Sequence, residues 1–155
     1  MKNHTRKKCP PKSNRYKRIV QTMLHMLHTI KLYHWGTSDY SVHKSSDHIH
    51  KILSELVDEF VEIILGKMNG DRTILHIGQL EFHRYNSKNS FIAQINEYIR
   101  FLIELTDDRS FNTKHNSDLM SKRDDIVGNL NNFIYLLRLG WRINTLSYFT
   151  HLFIV

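Results

Sequence analysis

Residues 34–62 read HWGTSDYSVHKSSDHIHKILSELVDEFVE, and this stretch decides both the expected fold and the expected chemistry. A His–Trp pair ends one segment of helical periodicity, the polar run at residues 36–39 breaks it, and a second helical segment begins near Tyr40. The second segment carries two pairs of polar side chains one helical turn apart, at positions 43 and 47 and at positions 58 and 62. The 11-residue step between the pairs is close to three turns, so both pairs lie on one side of the helix, within roughly 100° of arc.

These side chains make the stretch a candidate metal site. Imidazole and carboxylate groups on helices are the ligand chemistry of non-haem iron and related divalent metals. His34 lies at the centre of the apolar stripe of the first segment, so we expect its side chain to point inward. The candidate metal ligands are His34, His43, Asp47, Asp58 and Glu62. The alternative is a solvated helix face that binds no metal, because charged helix faces are common.

Length and composition favour one helical domain. A chain of 155 residues can bury a real core, and two prolines and six glycines favour long uninterrupted elements. The single cysteine, Cys9, excludes an intramolecular disulfide and favours a reducing compartment such as the cytoplasm. The N-terminus lacks the apolar region of a secretory signal, and no run of about 18 apolar residues predicts a transmembrane helix.

Helical periodicity predicts four helices: one from residue 13 or 14 to the break, then helices over about 40–65, 91–105 and 116–139. The short first connection and the longer one at residues 66–90 predict an all-α, antiparallel four-helix bundle over residues 14–140. We expect residues 66–90 to contain a short helix or an extended piece packed on the bundle. Gly128 predicts a close helix approach, and Gly140 predicts the end of the fourth helix. His25 and His28 are predicted to be exposed or to contact a second subunit.

The two ends of the chain differ from this domain. Residues 1–18 hold eight Lys or Arg and no acid, whereas the rest holds 14 basic and 15 acidic side chains. We expect residues 1–13 to be a flexible, disordered arm that is either a solvated tail or a tether for nucleic acid. The candidate nucleic-acid contacts are Arg6, Lys7, Lys8, Lys12, Arg15, Lys17 and Arg18. The apolar tail, residues 141–155, could be a fifth helix, a strand or a subunit contact.

The histidines and acids follow a spacing known from one family: His34-Trp35, then His43-x3-Asp47-x10-Asp58-x3-Glu62. Over residues 18–66 this pattern resembles the first two helices of Dps-like proteins in the ferritin superfamily, and the second half matches in helix order. The resemblance implies a ferritin-like bundle that forms a homodimer or a larger homo-oligomer. It also implies an iron site between two subunits, with the first three ligands from one chain and the last two from its neighbour. Trp35 would lie beside that site.

The implied activity is ferroxidase-type oxidation of Fe(II) by peroxide or oxygen, together with DNA binding through the basic arm. The sequence departs from the family at two points: the two histidines are unusually close, nine residues apart, and Ile63 stands where Arg is common. The ligand set could therefore be kept, partly lost, or rebuilt around His50. The chain also resembles small uncharacterised proteins of large DNA viruses, which would place it in the host cytoplasm or in the virion.

Two other functions compete with iron binding. One is a metal-free helical bundle with a structural or interaction role, and the other is a nucleic-acid binder that uses the arm with or without iron chemistry. The chain carries no P-loop, dinucleotide fingerprint, GxSxG or HExxH motif, so the common nucleotide-dependent, serine hydrolase and zinc protease classes are not indicated.

Overall fold

The structure is a computed structural model that describes residues 12–108 and 111–150, with side chains described for residues 13–108 and 111–139. In these residues there are four α-helices and no strand. The helices are α1 (Lys12–Gly36), α2 (Tyr40–Lys67), α3 (Lys88–Glu104) and α4 (Ser117–Thr150). Short 3-10 turns lie at Thr73–Leu75 and Lys114–Asn116. The prediction of an all-α fold is confirmed.

Asp39 caps the N-terminus of α2 and lies in the turn between the first two helices. Its carboxylate accepts hydrogen bonds from the backbone N–H groups of Ser41 (2.9 Å) and Val42 (3.2 Å), which satisfies donors that a helix start leaves free. Lys88, at the start of α3, lies 3.5 Å from the second carboxylate oxygen. The carboxylate hydrogen bonds, with that of the Ser41 hydroxyl the largest, hold the pKa of Asp39 below its usual value. This short turn brings the end of α1 against the start of α2.

Contacts between helix ends give the direction of each helix. The side chain of Arg15, early in α1, lies 2.8 Å from that of Asp108, just after α3, so α1 and α3 are antiparallel. Lys67, at the end of α2, lies 3.0 Å from Asp118 at the start of α4, so those two helices are antiparallel as well. Both α2 and α3 pack against α1 and against α4. Helices α1 and α4 therefore run one way, and α2 and α3 run the other.

The long connection, residues 68–87, runs back along α1. The Thr73 hydroxyl lies 3.3 Å from the Ser13 hydroxyl at the start of α1, and the Glu81 carbonyl lies 2.7 Å from Nε2 of His25 in the middle of that helix. Residues 76–86 have no regular secondary structure. The sequence predicted either a short helix or an extended piece packed on the bundle, and the structure has a short helical turn followed by an irregular piece that contacts α1.

The apolar stripes predicted for the helices form the core. Tyr16, Met23 and Ile30 of α1 are buried, with relative exposures of 4% or less. Four phenylalanines fill the centre between the helices and are fully buried: Phe60, Phe91, Phe111 and Phe133. Burying large side chains of this kind is the main favourable term in folding. Helical periodicity predicted the buried positions of Phe60, Phe91 and Phe133, whereas Phe111 lies in the loop after α3, outside every predicted helix.

Two predictions about glycines are wrong. Helix α4 does not end at Gly140 but continues to Thr150, so residues 141–150 are helical and extend the fourth helix. A Cβ atom built on Gly128 meets no atom within 4 Å, so this glycine marks no close helix approach. A single glycine is tolerated inside a long helix, at a cost of about 1 kcal/mol relative to alanine.

Several expectations fall outside the described residues. Residues 1–11 of the basic arm and residues 151–155 of the tail are among them, while Lys12 and Ser13 belong to α1. Across the helices that the structure describes, no segment combines the length and the apolar character needed to cross a membrane.

Candidate functional site

The end of α1 and the start of α2 bring His34 and His43 together. His34 is buried, with a relative exposure of 6%, and the two imidazole rings stack with centroids 3.9 Å apart and planes inclined at 26°. The short turn at residues 37–39 makes this possible, because it brings the last turn of α1 against the first turn of α2. We call His34 and His43 the imidazole pair.

Hydrogen bonds orient both rings of the imidazole pair in the same way. Nδ1 of His34 donates to the carbonyl of His43 (2.9 Å), and Nδ1 of His43 donates to the carbonyl of His34 (3.1 Å). The Ser46 hydroxyl lies 3.3 Å from Nδ1 of His34. A carbonyl can only accept, so each ring, when neutral, carries its proton on Nδ1 and leaves Nε2 without a hydrogen bond to the described residues. Metal-binding histidines are commonly oriented by such a bond from the second nitrogen to a backbone carbonyl.

Asp47, one turn after His43, is held by two lysines. Its carboxylate oxygens lie 2.9 Å from Nζ of Lys51 and 3.5 Å from Nζ of Lys31. The hydrogen bond from Lys51 is the largest cause that lowers the pKa of Asp47 to about 2, and Lys31 adds to it. The carboxylate is thus ionised over the whole neutral range, which suits a metal ligand, but its oxygens already have cationic partners.

His50 extends this group along the same side of α2. Burial is the main cause that lowers its pKa, and the nearby charges of Lys31, His28 and His34 act in the same direction, while Asp47 opposes them. A lowered pKa keeps the imidazole neutral, which is the form that binds metals. His50 therefore remains available for the rebuilt ligand set that the short histidine spacing allows.

Asp58 and Glu62 do not lie near the imidazole pair in one chain. Both are exposed on α2, and they follow His43 by 15 and 19 residues, which is roughly 22 and 28 Å along a helix. Among the described residues of a single chain, no three His, Cys, Asp or Glu side chains are grouped so that they could hold a metal ion. One chain thus supplies two well-oriented imidazoles but an incomplete coordination sphere.

Trp35 lies at the surface beside the imidazole pair. Its relative exposure is 67%, and Nζ of Lys31 lies 5.6 Å from the centre of its ring. Leu32 and Tyr40 are also exposed at this end of the molecule, at 45% and 75%. Scattered exposed apolar residues are normal, but three of them near the turn between α1 and α2 make this end a candidate contact surface.

Two of the predicted nucleic-acid contacts have partners within the bundle. Arg15 forms the ion pair with Asp108, and the guanidinium of Arg18 lies 5.4 Å from the centre of the Phe101 ring. Lys17 is half-buried on α1. The side chains of Arg6, Lys7, Lys8 and Lys12 lie outside the described residues. Arg15 and Arg18, which belong to α1, thus contact other parts of the bundle.

His25 has a structural role that the sequence did not reveal. Its Nε2 lies 2.7 Å from the Glu81 carbonyl, its Nδ1 lies 2.7 Å from the Tyr98 hydroxyl, and its ring stacks on Phe82 at 5.0 Å. The prediction of an exposed or subunit-contacting residue is wrong for His25, because the long connection covers it. His28 is exposed, as expected, and its Nδ1 lies 2.8 Å from the carbonyl of Leu24.

Comparison with known proteins gives a family and no activity. A family model matches residues 34–137, about two thirds of the chain, beginning at His34 and covering α2, the long connection, α3 and most of α4. No curated protein and no solved structure matches the chain. The chain belongs to the family described as "Family of unknown function (DUF5856)".

Proposed function

We propose that this protein is a Dps-like, ferritin-like iron-binding protein whose metal site is shared between two copies of the chain. The observation that carries the proposal is the imidazole pair, in which both rings are oriented by carbonyls and leave Nε2 without a hydrogen bond to the described residues. The described residues of one chain do not complete the site, so the proposal takes the missing carboxylates from a second copy. The candidates are Asp58 and Glu62, which are exposed on α2.

The order and direction of the helices support a ferritin-like arrangement. Ferritin-like bundles have one long crossover, between the second and third helices. Here residues 68–87 form such a connection, and α1 and α4 run opposite to α2 and α3. A simple up-down bundle would instead have short loops throughout and would place α3 antiparallel to α2.

The exposed side of α2 supports pairing with a second copy. Its N-terminal half carries the basic residues Lys44 and Lys51, and its C-terminal half carries the exposed acids Glu55, Asp58, Glu59 and Glu62, of which Glu59 pairs with Lys122 of α4. The exposed basic residue at the end of that half, Lys67, pairs with Asp118 of α4. Two antiparallel copies of α2 would set each basic half against an acidic half. A twofold axis at the level of Ile52 and Leu53 would also set position 43 opposite position 62, and position 47 opposite position 58. Such a self-complementary surface is what a twofold interface requires.

The proposed chemistry uses few groups of the chain. The two Nε2 atoms and the carboxylates would bind Fe(II), and carboxylates also stabilise Fe(III). Bound iron would supply the redox step by passing an electron to peroxide or oxygen. The carbonyl bonds to Nδ1 would keep both rings in the ligating orientation throughout.

Anaerobic titration with Fe(II) tests the site. Wild type should bind iron, whereas His34→Ala/His43→Ala and Asp58→Ala/Glu62→Ala should each lose most of the affinity. A matched control is Glu97→Ala/Glu104→Ala, which removes two exposed acids from α3. Equal binding by wild type and the Asp58/Glu62 double variant would contradict the shared site.

The proposal also gives the basic arm a non-specific nucleic-acid contact. Deleting residues 1–11 leaves α1 complete from Lys12 and removes four cationic side chains. Binding to duplex DNA should weaken, and its dependence on salt should become shallower, because fewer counterions are released. Unchanged affinity after the deletion would contradict a role for the arm.

A second candidate function is a metal-free interaction protein. The arrangement of Lys31, Asp47 and Lys51 favours it, because the carboxylate one helical turn after His43 is already paired with two ammonium groups. In that case Trp35 and Tyr40 would contact a partner protein. Addition of Fe(II), Co(II) or Zn(II) separates the two functions, since a metal-free protein should show no rise in melting temperature.

A further inference from the structure

A separate cavity lies on the other side of α1 from the imidazole pair. Its volume is about 550 Å³, and it is formed between the last turns of α1 and residues 82–86 of the long connection. Its residues from α1 share one face: Thr29, Leu32, Tyr33 and Gly36. At 3.6 residues per turn His34 points roughly 150° away from the middle of that face. The cavity is therefore distinct from the proposed iron site.

Aromatic contacts hold the walls of the cavity in place. The Phe82 ring stacks on His25 with planes 4° apart, and the Tyr33 ring stacks on Phe91 at 3.6 Å. The Tyr85 ring meets the same Phe91 ring edge-on at 5.6 Å. The connection thus has no regular secondary structure here but is anchored to α1 and α3. Such anchoring gives a cavity that exists before a ligand arrives, as most small-molecule sites do.

The Tyr85 hydroxyl lacks a partner. Its oxygen is buried, yet it forms no hydrogen bond with any of the described residues. Burial also raises the pKa of Tyr85, so the hydroxyl stays protonated and able to donate. Buried hydroxyl groups normally find a hydrogen-bond partner. Because this oxygen is buried, it lies behind the wall of the cavity, and a ligand in the cavity would not reach it.

The rim of the cavity is positively charged. Arg84 lines it and forms no ion pair with a carboxylate of residues 12–108 or 111–139, where side chains are described. His83 and Asn86 lie beside it and can also donate hydrogen bonds. No acidic side chain lines this cavity. The rim therefore favours an anionic group, while Leu32, Tyr33 and Phe82 offer apolar and aromatic surface.

We propose that this cavity binds a small organic anion that carries one planar ring system. The ring would lie against the aromatic wall, and Arg84 would pair with the charged oxygens of the ligand. A carboxylate and a phosphate monoester share this chemistry. The cavity volume lies within the range typical of small-molecule sites.

Titration of small-molecule probes into the full chain tests the proposal. Binding is measured by calorimetry and by NMR of the aromatic side chains. The probes are adenosine monophosphate and 4-hydroxybenzoate, which distinguish phosphate from carboxylate, with adenosine and inorganic phosphate as half-ligands. At least one of the two ring-bearing anions should bind, should shift the Phe82 and Tyr33 resonances, and should bind more tightly than its neutral or ring-free counterpart. Binding of neither anion, or equal binding by adenosine or by phosphate alone, would overturn the assignment.

Two variants locate the binding. Arg84→Gln should weaken the bound anion at least about tenfold, the value of a charged hydrogen bond, whereas Arg72→Gln, an exposed arginine at the other end of the connection, should leave binding unchanged. Tyr85→Phe should leave the affinity unchanged, because a ligand in the cavity does not reach this hydroxyl, and should raise the melting temperature of the ligand-free protein, because it removes an unpaired buried hydroxyl. Equal affinities of the Arg84 and Arg72 variants would show that the anion binds elsewhere.

Discussion

His25 and His34 lie nine residues apart on α1 and differ in how many ring nitrogens the fold uses. Both nitrogens of His25 are engaged, one with the Glu81 carbonyl and one with the Tyr98 hydroxyl. His34 uses Nδ1 for the His43 carbonyl, and its Nε2 forms no hydrogen bond within the described part of the chain. A histidine whose two ring nitrogens both have partners within the chain stabilises the fold. A histidine with one engaged nitrogen is oriented and still able to bind a metal.

The largest expected effect is a difference in metal affinity between a His34 variant and a His25 variant. His34→Ala removes a proposed ligand, so affinity for Fe(II) or Co(II) should fall by more than the roughly 10–100-fold that losing an outer hydrogen-bond partner of a ligand costs. His25→Ala should leave metal affinity unchanged. Calorimetric titration of both variants measures the difference. Equal losses in the two variants would remove the distinction between the histidines.

For the free energy of unfolding we expect the reverse order, with the larger loss in the His25 variant. His25→Ala removes two hydrogen bonds and the stacking contact with Phe82, so the free energy of unfolding should fall by about 2–3 kcal/mol. His28→Ala is the matched control, since His28 is exposed, hydrogen-bonds only within its own helix and makes one tilted ring contact with Phe82 at 5.9 Å, and it should change stability by no more than about 1 kcal/mol. Urea denaturation measures both. If His25→Ala is as stable as His28→Ala, the long connection is not held by His25.

A smaller effect concerns the carboxylate beside the imidazole pair. The pKa of Asp47 in the folded protein is about 2, below its ordinary value of 3.8. Its contribution to stability is therefore complete above about pH 4 and is lost as the pH falls towards 2. Asp47→Asn should lose less stability than wild type over this interval, as measured by urea denaturation at a series of pH values. Parallel pH curves would show that the lysines do not hold this carboxylate.

The smallest expected effect is a change in stability at Gly128 of α4. Gly128→Ala adds a methyl group where no atom lies within 4 Å, inside an α-helix, so it should raise the free energy of unfolding by about 0.5–1 kcal/mol. Thermal denaturation measures the gain. Destabilisation would mean that the glycine is needed for a close contact after all. A gain would provide a stable background in which to compare the His25 and His34 variants.

Patterns with a regular period could be predicted from the sequence. The stripe through Tyr16, Met23 and Ile30 gave the buried face of α1, and it also placed His34 inside. The polar break at residues 36–39 gave the turn, and the turn brought the imidazole pair together. Short-range regularity is set by local geometry, so the helices and this pair follow from the order of residues.

Contacts made by the irregular connection could not be predicted in this way. Glu81 reaches His25 through its backbone carbonyl, which any residue carries, so the sequence holds no signal for that bond. The unpaired Tyr85 hydroxyl and the charged rim of the cavity also depend on where an extended segment passes. Gly140 misled for a related reason, because a single glycine stops a helix only when tertiary packing does not favour its continuation. Long-range packing decides these features, and one sequence does not reveal it.

Mixing two inactive variants tests the shared site most directly. A chain with His34→Ala/His43→Ala keeps the acids, and a chain with Asp58→Ala/Glu62→Ala keeps the imidazole pair. Each alone should bind no Fe(II) at the site, whereas mixed dimers formed from both should regain one intact site per dimer, measured by anaerobic titration after subunit exchange. Iron binding by the second variant alone, or mixed dimers that bind no iron, would contradict a site built from two copies.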